Sequence, residues 1–191
     1  MTRPASLLFL LLVPALASAQ ATPAETPASA PLAVHDIPRI PGGIVIDGKL
    51  DDAAWAEAGV FDMPYEISPG DNIPAVATTK ARIGYTDTAL YVGFVAQDPN
   101  PSEIRAHLRD RDAAYRDDFI GIILDTFDDQ RRAYEFFVNP FGVQMDLIND
   151  QTTHNEDDSW DGLWSSAGRI TPQGYEVEMR IPFSTLRFVS S

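Results

Sequence analysis

The sequence predicts an all-β protein: an antiparallel β-sandwich with one or two short helices. Three observations carry that prediction. From Ile44 onward the apolar residues recur with a period of two, the alternating segments are separated by short turn sequences, and helical periodicity is nearly absent.

The chain opens with an export signal. Arg3 supplies a short positive region, Leu7 to Leu16 (LLFLLLVPAL) an apolar stretch, and Ala17-Ser18-Ala19 the small residues of a cleavage site. That run is too short to cross about 30 Å of hydrocarbon. Residues 1–19 therefore read as a signal peptide, which sends the mature chain to the periplasm, the outer membrane or the exterior. Residues 20–40 are rich in Ala, Pro and Thr and read as a linker. Residues 41–191 read as the sandwich domain.

Within that domain, Ile44–Ile46 reads as a short strand turning at Asp47-Gly48. Asp51-Asp52 then stand at the start of a short helix through Ala53-Ala54-Trp55-Ala56, where acids favour the positive end and Trp55 anchors it to the sheet. Ala81–Tyr85 and Leu90–Ala96 flank Asp87-Thr88 and read as an antiparallel hairpin. Ser102–Tyr115 has room for a turn or two of helix. Phe119–Leu124 (FIGIIL) reads as a buried strand, because its apolar run is too short for a helix. Tyr134–Val138 and Val143–Ile148 flank the turn sequence Asn139-Pro140-Phe141-Gly142 and give a second hairpin. Tyr175, Val177, Met179 and Ile181 alternate with Glu176, Glu178 and Arg180, which predicts one face in the core and one in water.

Composition narrows the function. The 191 residues carry 28 Asp+Glu against 14 Lys+Arg, a formal net charge of −14, which repels nucleic-acid backbones and anionic lipid. Hydrophobic residues at 45% suffice for a core, so global disorder is excluded. The absence of cysteine excludes disulfides, thiol chemistry and zinc–thiolate sites. The natural cationic partner of such a chain is a metal ion.

Five segments are more specific: IVIDGKLDDAAW (44–55), ARIGYTDTALYVGFVAQDPNP (81–101), DDFIGIILD (117–125), YEFFVNPFG (134–142) and YEVEMRIPF (175–183). Their order and spacing resemble carbohydrate-binding module family 9 from about residue 44 to the C-terminus. In particular the chain looks like the branch in which this module precedes a β-barrel in Gram-negative envelope proteins. The resemblance implies a non-catalytic sandwich with structural calcium and, in sugar-binding members, two tryptophans that grip a glycan end. The first clamp position corresponds to Tyr115. A glutamate that bonds sugar hydroxyls corresponds to Gly121, and an arginine to Phe137, so those two contacts are absent here. The second clamp tryptophan falls beyond Ser191, which implies a domain shortened at its C-terminus.

Candidate residues follow. Tyr115 with Trp160 and Trp164, from the acidic loop EDDSWDGLW, form a candidate aromatic surface for a glycan, with the alternative that the two tryptophans are core. Arg109 belongs to a run of arginines interleaved with acids, either a salt-bridged surface or forks facing an acidic sugar or a partner. Positions 110 to 161 hold 14 of the 28 acids, and calcium takes six to eight oxygens from irregular loops. Asp98, Asp118 and Asp125 are the candidate metal ligands, a solvated acidic face being the alternative. No carboxylate pair stands out as a glycosidase centre, no G-x-S-x-G occurs, and no enzyme activity is expected of this chain. Two functions remain: an exported glycan-binding module contributing to carbohydrate catabolism, or a docking domain of an outer-membrane protein with no sugar ligand.

Overall fold

The computed structural model describes residues 34–66 and 73–188. Among the described residues nine strands follow in order: β1 (Gly59–Glu66), β2 (Ile73–Tyr85), β3 (Ala89–Gln97), β4 (Ile120–Leu124), β5 (Arg132–Val138), β6 (Gln144–Asp150), β7 (Asn155–Asp157), β8 (Ser165–Thr171) and β9 (Gly174–Pro182). They form two antiparallel sheets, a five-stranded one in the order β1-β2-β3-β9-β8 and a four-stranded one in the order β4-β5-β6-β7. The architecture is the β-sandwich that the alternating pattern predicts. Among the described residues the helical content is three 3-10 turns, at Ala53–Glu57, Pro101–Glu103 and Phe183–Thr185. The turn or two of helix expected within Ser102–Tyr115 reduces to the second of these.

The core forms where the alternation of both sheets points inward. Register places Val92 opposite Met179 and Phe94 opposite Val177, so these four share a face of the five-stranded sheet. They meet Tyr134, Phe136 and Val138 of β5, with Ile120, Ile122 and Leu124 of β4 packed alongside. Each large apolar side chain so buried contributes about 1.5–3 kcal/mol. Both predicted hairpins are present, as β2–β3 and β5–β6.

A second apolar cluster lies outside the main core: Ile40, Ile44, Ala54, Trp55, Ala58, Ala89 and Tyr91. It explains a departure from expectation at β9. Val177 and Met179 are fully buried as predicted, yet Glu178, expected in water, is also 0% exposed. Gly93 is its cross-strand neighbour. With no side chain at Gly93, Leu50 and Trp55 come down onto the sheet, and a Cβ there would lie 2.6 Å from Leu50 Cδ2. The segment before β1 thus roofs over Glu178. Its carboxylate then accepts three N–H groups from the roof: Trp55 Nε1 at 2.9 Å, Gly48 N at 2.8 Å and Asp47 N at 3.0 Å. A buried carboxylate persists only with such partners.

The roof itself differs from its sequence reading. Ile44–Ile46 makes no ladder and packs as irregular backbone. Asp52 does not cap the 3-10 turn with its side chain; Oδ2 accepts the Val45 N–H at 2.8 Å instead. Trp55 is buried, as an anchor should be. Residues 38–40, inside the range read as linker, belong to the folded body. The Ile40 N–H donates to the Tyr85 carbonyl at 2.8 Å, the Tyr85 N–H to the Pro38 carbonyl at 3.1 Å, and Ile40 is buried. The segment read as a signal peptide (1–19) and the first part of the range read as linker lie outside the described residues.

Candidate functional site

Tyr134, Phe136 and Val138 of β5 point into the core, so Glu135 and Phe137 point out of it. Their ladder partners share that outer face: Ile123 and Gly121 on β4, Leu147 and Met145 on β6. The outer face is only partly covered. Met145 and Leu147 are buried, whereas Ile123 is exposed, although β4 was expected to be a wholly buried strand. Two rings from the segment before β4 extend this surface. Phe119 sits edge-on to Phe137 with centroids 5.4 Å apart, and Tyr115 edge-on to Phe119 at 6.1 Å. Tyr115 and Phe119 remain 38% and 42% exposed.

Phe137 and Gly121 fit one another. A Cβ at Gly121 would stand 2.5 Å from Phe137 Cδ1 and 2.0 Å from the Phe136 carbonyl oxygen, so glycine is required under that ring. The two positions at which the resemblance places a polar pair are thus an interlocked apolar pair.

One carboxylate sits in this face. Glu135 is 9% exposed, and Asn149, also outward on β6, donates its Nδ2–H to Oε1 at 3.0 Å. Among the described residues nothing donates to Oε2 and no basic side chain pairs with it. Burial pushes the Glu135 carboxyl above its ordinary value, against the Asn149 hydrogen bond and together with the charge of Glu156. The Tyr115 phenol is pushed up to about 12 by burial first, and then by the charges of Asp112, Asp146, Asp158 and Glu135. It therefore stays a hydrogen-bond donor at any physiological pH.

The residues singled out from sequence separate. Trp164 is 8% exposed in the main core, edge-on to Phe136 at 5.3 Å. Trp160 packs on the same inner side, 5.1 Å from Tyr134 and 5.8 Å from Phe136. Neither shares a surface with Tyr115. The reason is parity: Tyr134 and Phe136 face inward, and the tryptophans close that end of the core. Arg109 lies 3.7 Å from Asp117 rather than beside Tyr115. Asp117 is a buried anchor: it accepts His107 N and His107 Nδ1, each at 2.8 Å, and Asn139 Nδ2 at 3.0 Å. Burial raises Asp117, but the His107 and Asn139 hydrogen bonds outweigh it and hold the carboxyl below its ordinary value.

The three candidate metal ligands do not converge. Asp118 precedes β4 and Asp125 follows it, and a five-residue strand keeps them about 20 Å apart. Both Asp125 oxygens accept N–H groups of its own loop, from Phe127 and Gln130. Asp98 follows β3 and Asp118 precedes β4, and both charges act, after burial, to push up the Tyr175 phenol. A different acidic cluster has the closer geometry: Asp112, Asp146 and Asp161 offer carboxylate oxygens within 4.8 Å of one another, close enough to hold a cation. Arg111 reaches into this cluster. Its Nε lies 2.8 Å from Asp146 Oδ1, 2.9 Å from Asp161 and 3.7 Å from Asp112, while Nη2 also donates to Asp146 and to the Gly162 carbonyl.

Sequence reasoning did not single out Phe119, Glu135 or Asn149. The alternation of Tyr134 and Phe136 against Glu135 and Phe137 holds the signal for Glu135, since both hairpin strands reverse face at each residue. Among 28 acids, however, a single outward glutamate is inconspicuous.

Solved structures similar to this chain include the following three. Two are a carbohydrate binding module family 9 from Caldicellulosiruptor kristjanssonii, in complex with cellotriose and with glucose. The first is 23% identical with a TM-score of 0.52 over 74% of this chain and 64% of that one. The second is 20% identical with a TM-score of 0.51 over 78% and 70%. A candidate carbohydrate-binding protein from Bacteroides uniformis ATCC 8492 is 12% identical, with a TM-score of 0.61 over 81% and 76%. The chain thus spans under two thirds of the cellotriose-bound module's length. At these identities the likeness establishes the fold. No curated protein sequence matches the chain. The family model described as carbohydrate family 9 binding domain-like matches residues 46–191, most of the sequence, and the chain belongs to that family.

Proposed function

We propose that this chain is a non-catalytic, exported glycan-binding module, and that sugar binds on the outer face of the four-stranded sheet. The observation that carries this reading is the run of half-exposed rings, Tyr115, Phe119 and Phe137, beside the unpaired Glu135 oxygen. An aromatic face packs on the C–H side of a pyranose, and a carboxylate accepts hydrogen bonds from its hydroxyls. Two similar modules hold cellotriose and glucose, which supports a glycan as the ligand class. In the bacterial envelope such a module would keep a polysaccharide close to the enzymes that degrade it, as part of a larger outer-membrane protein.

A millimolar complex has about 4 kcal/mol of binding free energy. Removing one stacking ring costs about 1–3 kcal/mol by analogy with base stacking. Affinity electrophoresis in gels containing soluble glucans is therefore expected to show Tyr115→Ala and Phe119→Ala losing most of the wild-type retardation. Trp164→Ala should lower the melting temperature instead. Unchanged retardation of both ring variants would overturn the assignment. The interlocked Gly121–Phe137 pair favours a second reading, a docking domain. That reading gains if no glycan binds while an envelope protein retains the chain.

Calcium belongs to the same proposal, as the ion that fixes the loops after β3 and before β4. Asp98 and Asp118 are the ligands proposed at this end, Asp118 by giving up the Arg105 N–H and guanidinium contacts that engage both its oxygens. Asp98 uses only Oδ1 locally, for the Asn100 N–H at 2.6 Å. Asp125 falls at the other end and is left out. Calcium at a hundredfold excess over Kd should stabilise by about 2.7 kcal/mol, raising the melting temperature by about 2–4 °C per kcal/mol. EDTA should reverse the shift and Asp118→Asn should abolish most of it. A melting temperature indifferent to calcium would leave these acids as a solvated face.

A further inference from the structure

We infer that the outer-face site selects glycans carrying a free amino group, with Glu135 as the residue that recognises the sugar ammonium. The inference rests on the glycan-binding reading above and narrows its ligand class.

Two ladder rows cross this face: Ile123–Glu135–Leu147 over β4, β5 and β6, and Ala133–Asn149–Glu156 over β5, β6 and β7. They put two carboxylates and one carboxamide side by side. Glu135 is nine-tenths buried, yet among the described residues it has one hydrogen bond and no counter-cation. The Asn149 oxygen is already engaged, accepting Gln151 Nε2 at 3.0 Å. The other buried carboxylates among the described residues are matched. Asp146 has Arg111, Asp117 has His107 and Arg109, and Glu178 has three N–H groups. Glu135 is the exception, and it stands where the exposed rings would hold a pyranose.

An ionised carboxylate is an acceptor only, whereas an ammonium brings three donors and a full positive charge. Low local dielectric strengthens that attraction relative to an exposed pair. Glu156 and a chain of net charge −14 add to the negative field. A neutral hydroxyl satisfies the hydrogen bond but leaves the charge unmatched. N-acetylation removes the charge and adds bulk at the same atom.

The test is titration calorimetry of the full chain with three tetrasaccharides: a glucosamine oligomer, its N-acetylated counterpart and cellotetraose. The glucosamine oligomer should bind at least tenfold more tightly than the other two. Glu135→Gln should erase that preference, bringing the glucosamine oligomer to the affinity that cellotetraose shows for the same variant. Glu156→Gln, at an exposed position, should lower the preference a few-fold and serves if Glu135→Gln melts early. Equal affinity for the three sugars, or a preference that survives Glu135→Gln, overturns the inference and leaves glycan binding standing. Binding of none of the three, together with no effect of Tyr115→Ala on glucan retardation, overturns both.

Discussion

Glu178→Ala is expected to remove about 3–5 kcal/mol of folding stability, the range for stripping one partner from a buried charged network. The variant would leave the Trp55 indole N–H and the backbone N–H groups of Asp47 and Gly48 without an acceptor. Hydrogen bonds to a charged group are worth about 1.5–3 kcal/mol each, and partial entry of water recovers some of the three. At about 2–4 °C per kcal/mol for a domain of this size, the melting temperature should fall by roughly 10 °C. Glu178→Gln keeps one acceptor oxygen and should fall less. Glu176→Ala, one turn of the pleat away and paired at the surface with Arg169, is the control, expected within about 0.5 kcal/mol. A melting temperature within 2 °C of wild type for Glu178→Ala would show that the roof over β3 and β9 is held by its apolar contacts alone.

The second large effect is expected at Arg111→Met. Asp146 is 0% exposed, and its charge is balanced by the guanidinium. Removing that cation leaves three carboxylates within 4.8 Å and should cost about 3–5 kcal/mol. The cost should be partly recovered by calcium, because the cluster becomes a cation site once its built-in cation is gone. In an Asp118→Asn background wild-type Arg111 should show little calcium response, and Arg111→Met a clear one, by thermal melting. An Arg111→Met protein destabilised but deaf to calcium would show that the guanidinium itself sets the carboxylate geometry.

What the sequence made legible follows from where burial is one-sided. β2, β5, β6 and β9 alternate because one face meets the main core, β3 is apolar throughout because both its faces are covered, and turn residues mark their ends. β7 is three exposed polar residues, Asn155–Asp157, and carries no apolar signal. β8 reads SSAGRIT, small and polar, since its Gly168 must let the Pro140–Gly142 turn come close. β1 contains Pro64 at a register shift between Met63 and Tyr65, which blunts its strand signature. Glu178 was misplaced because a charged residue in an alternating strand ordinarily faces water, and only the roof from residues 44–58 changes that. Of the residues in the proposed outer-face site, Tyr115 was the one singled out from sequence. Phe119 blended into the strand beside it, and Glu135 stood as one acid among many. The tryptophans follow the core alternative for a physical reason: a large ring in an acidic loop can close the end of a core as readily as it can meet a ligand.

The pairing of β3 with β9 also governs how the molecule comes into being. Ala89 lies opposite Pro182 and Gln97 opposite Gly174, so two neighbouring inner strands of the larger sheet are made far apart in the chain. β9 brings Val177, Met179 and Ile181 to one cluster and Glu178 to the other. Nothing synthesised before residue 174 can complete either. Closure over such a separation is slow, in the millisecond-to-second range typical of non-local β topologies. Until then the β1–β2–β3 meander offers a bare apolar strand edge, and β9 is the strand that makes the whole assembly cooperative.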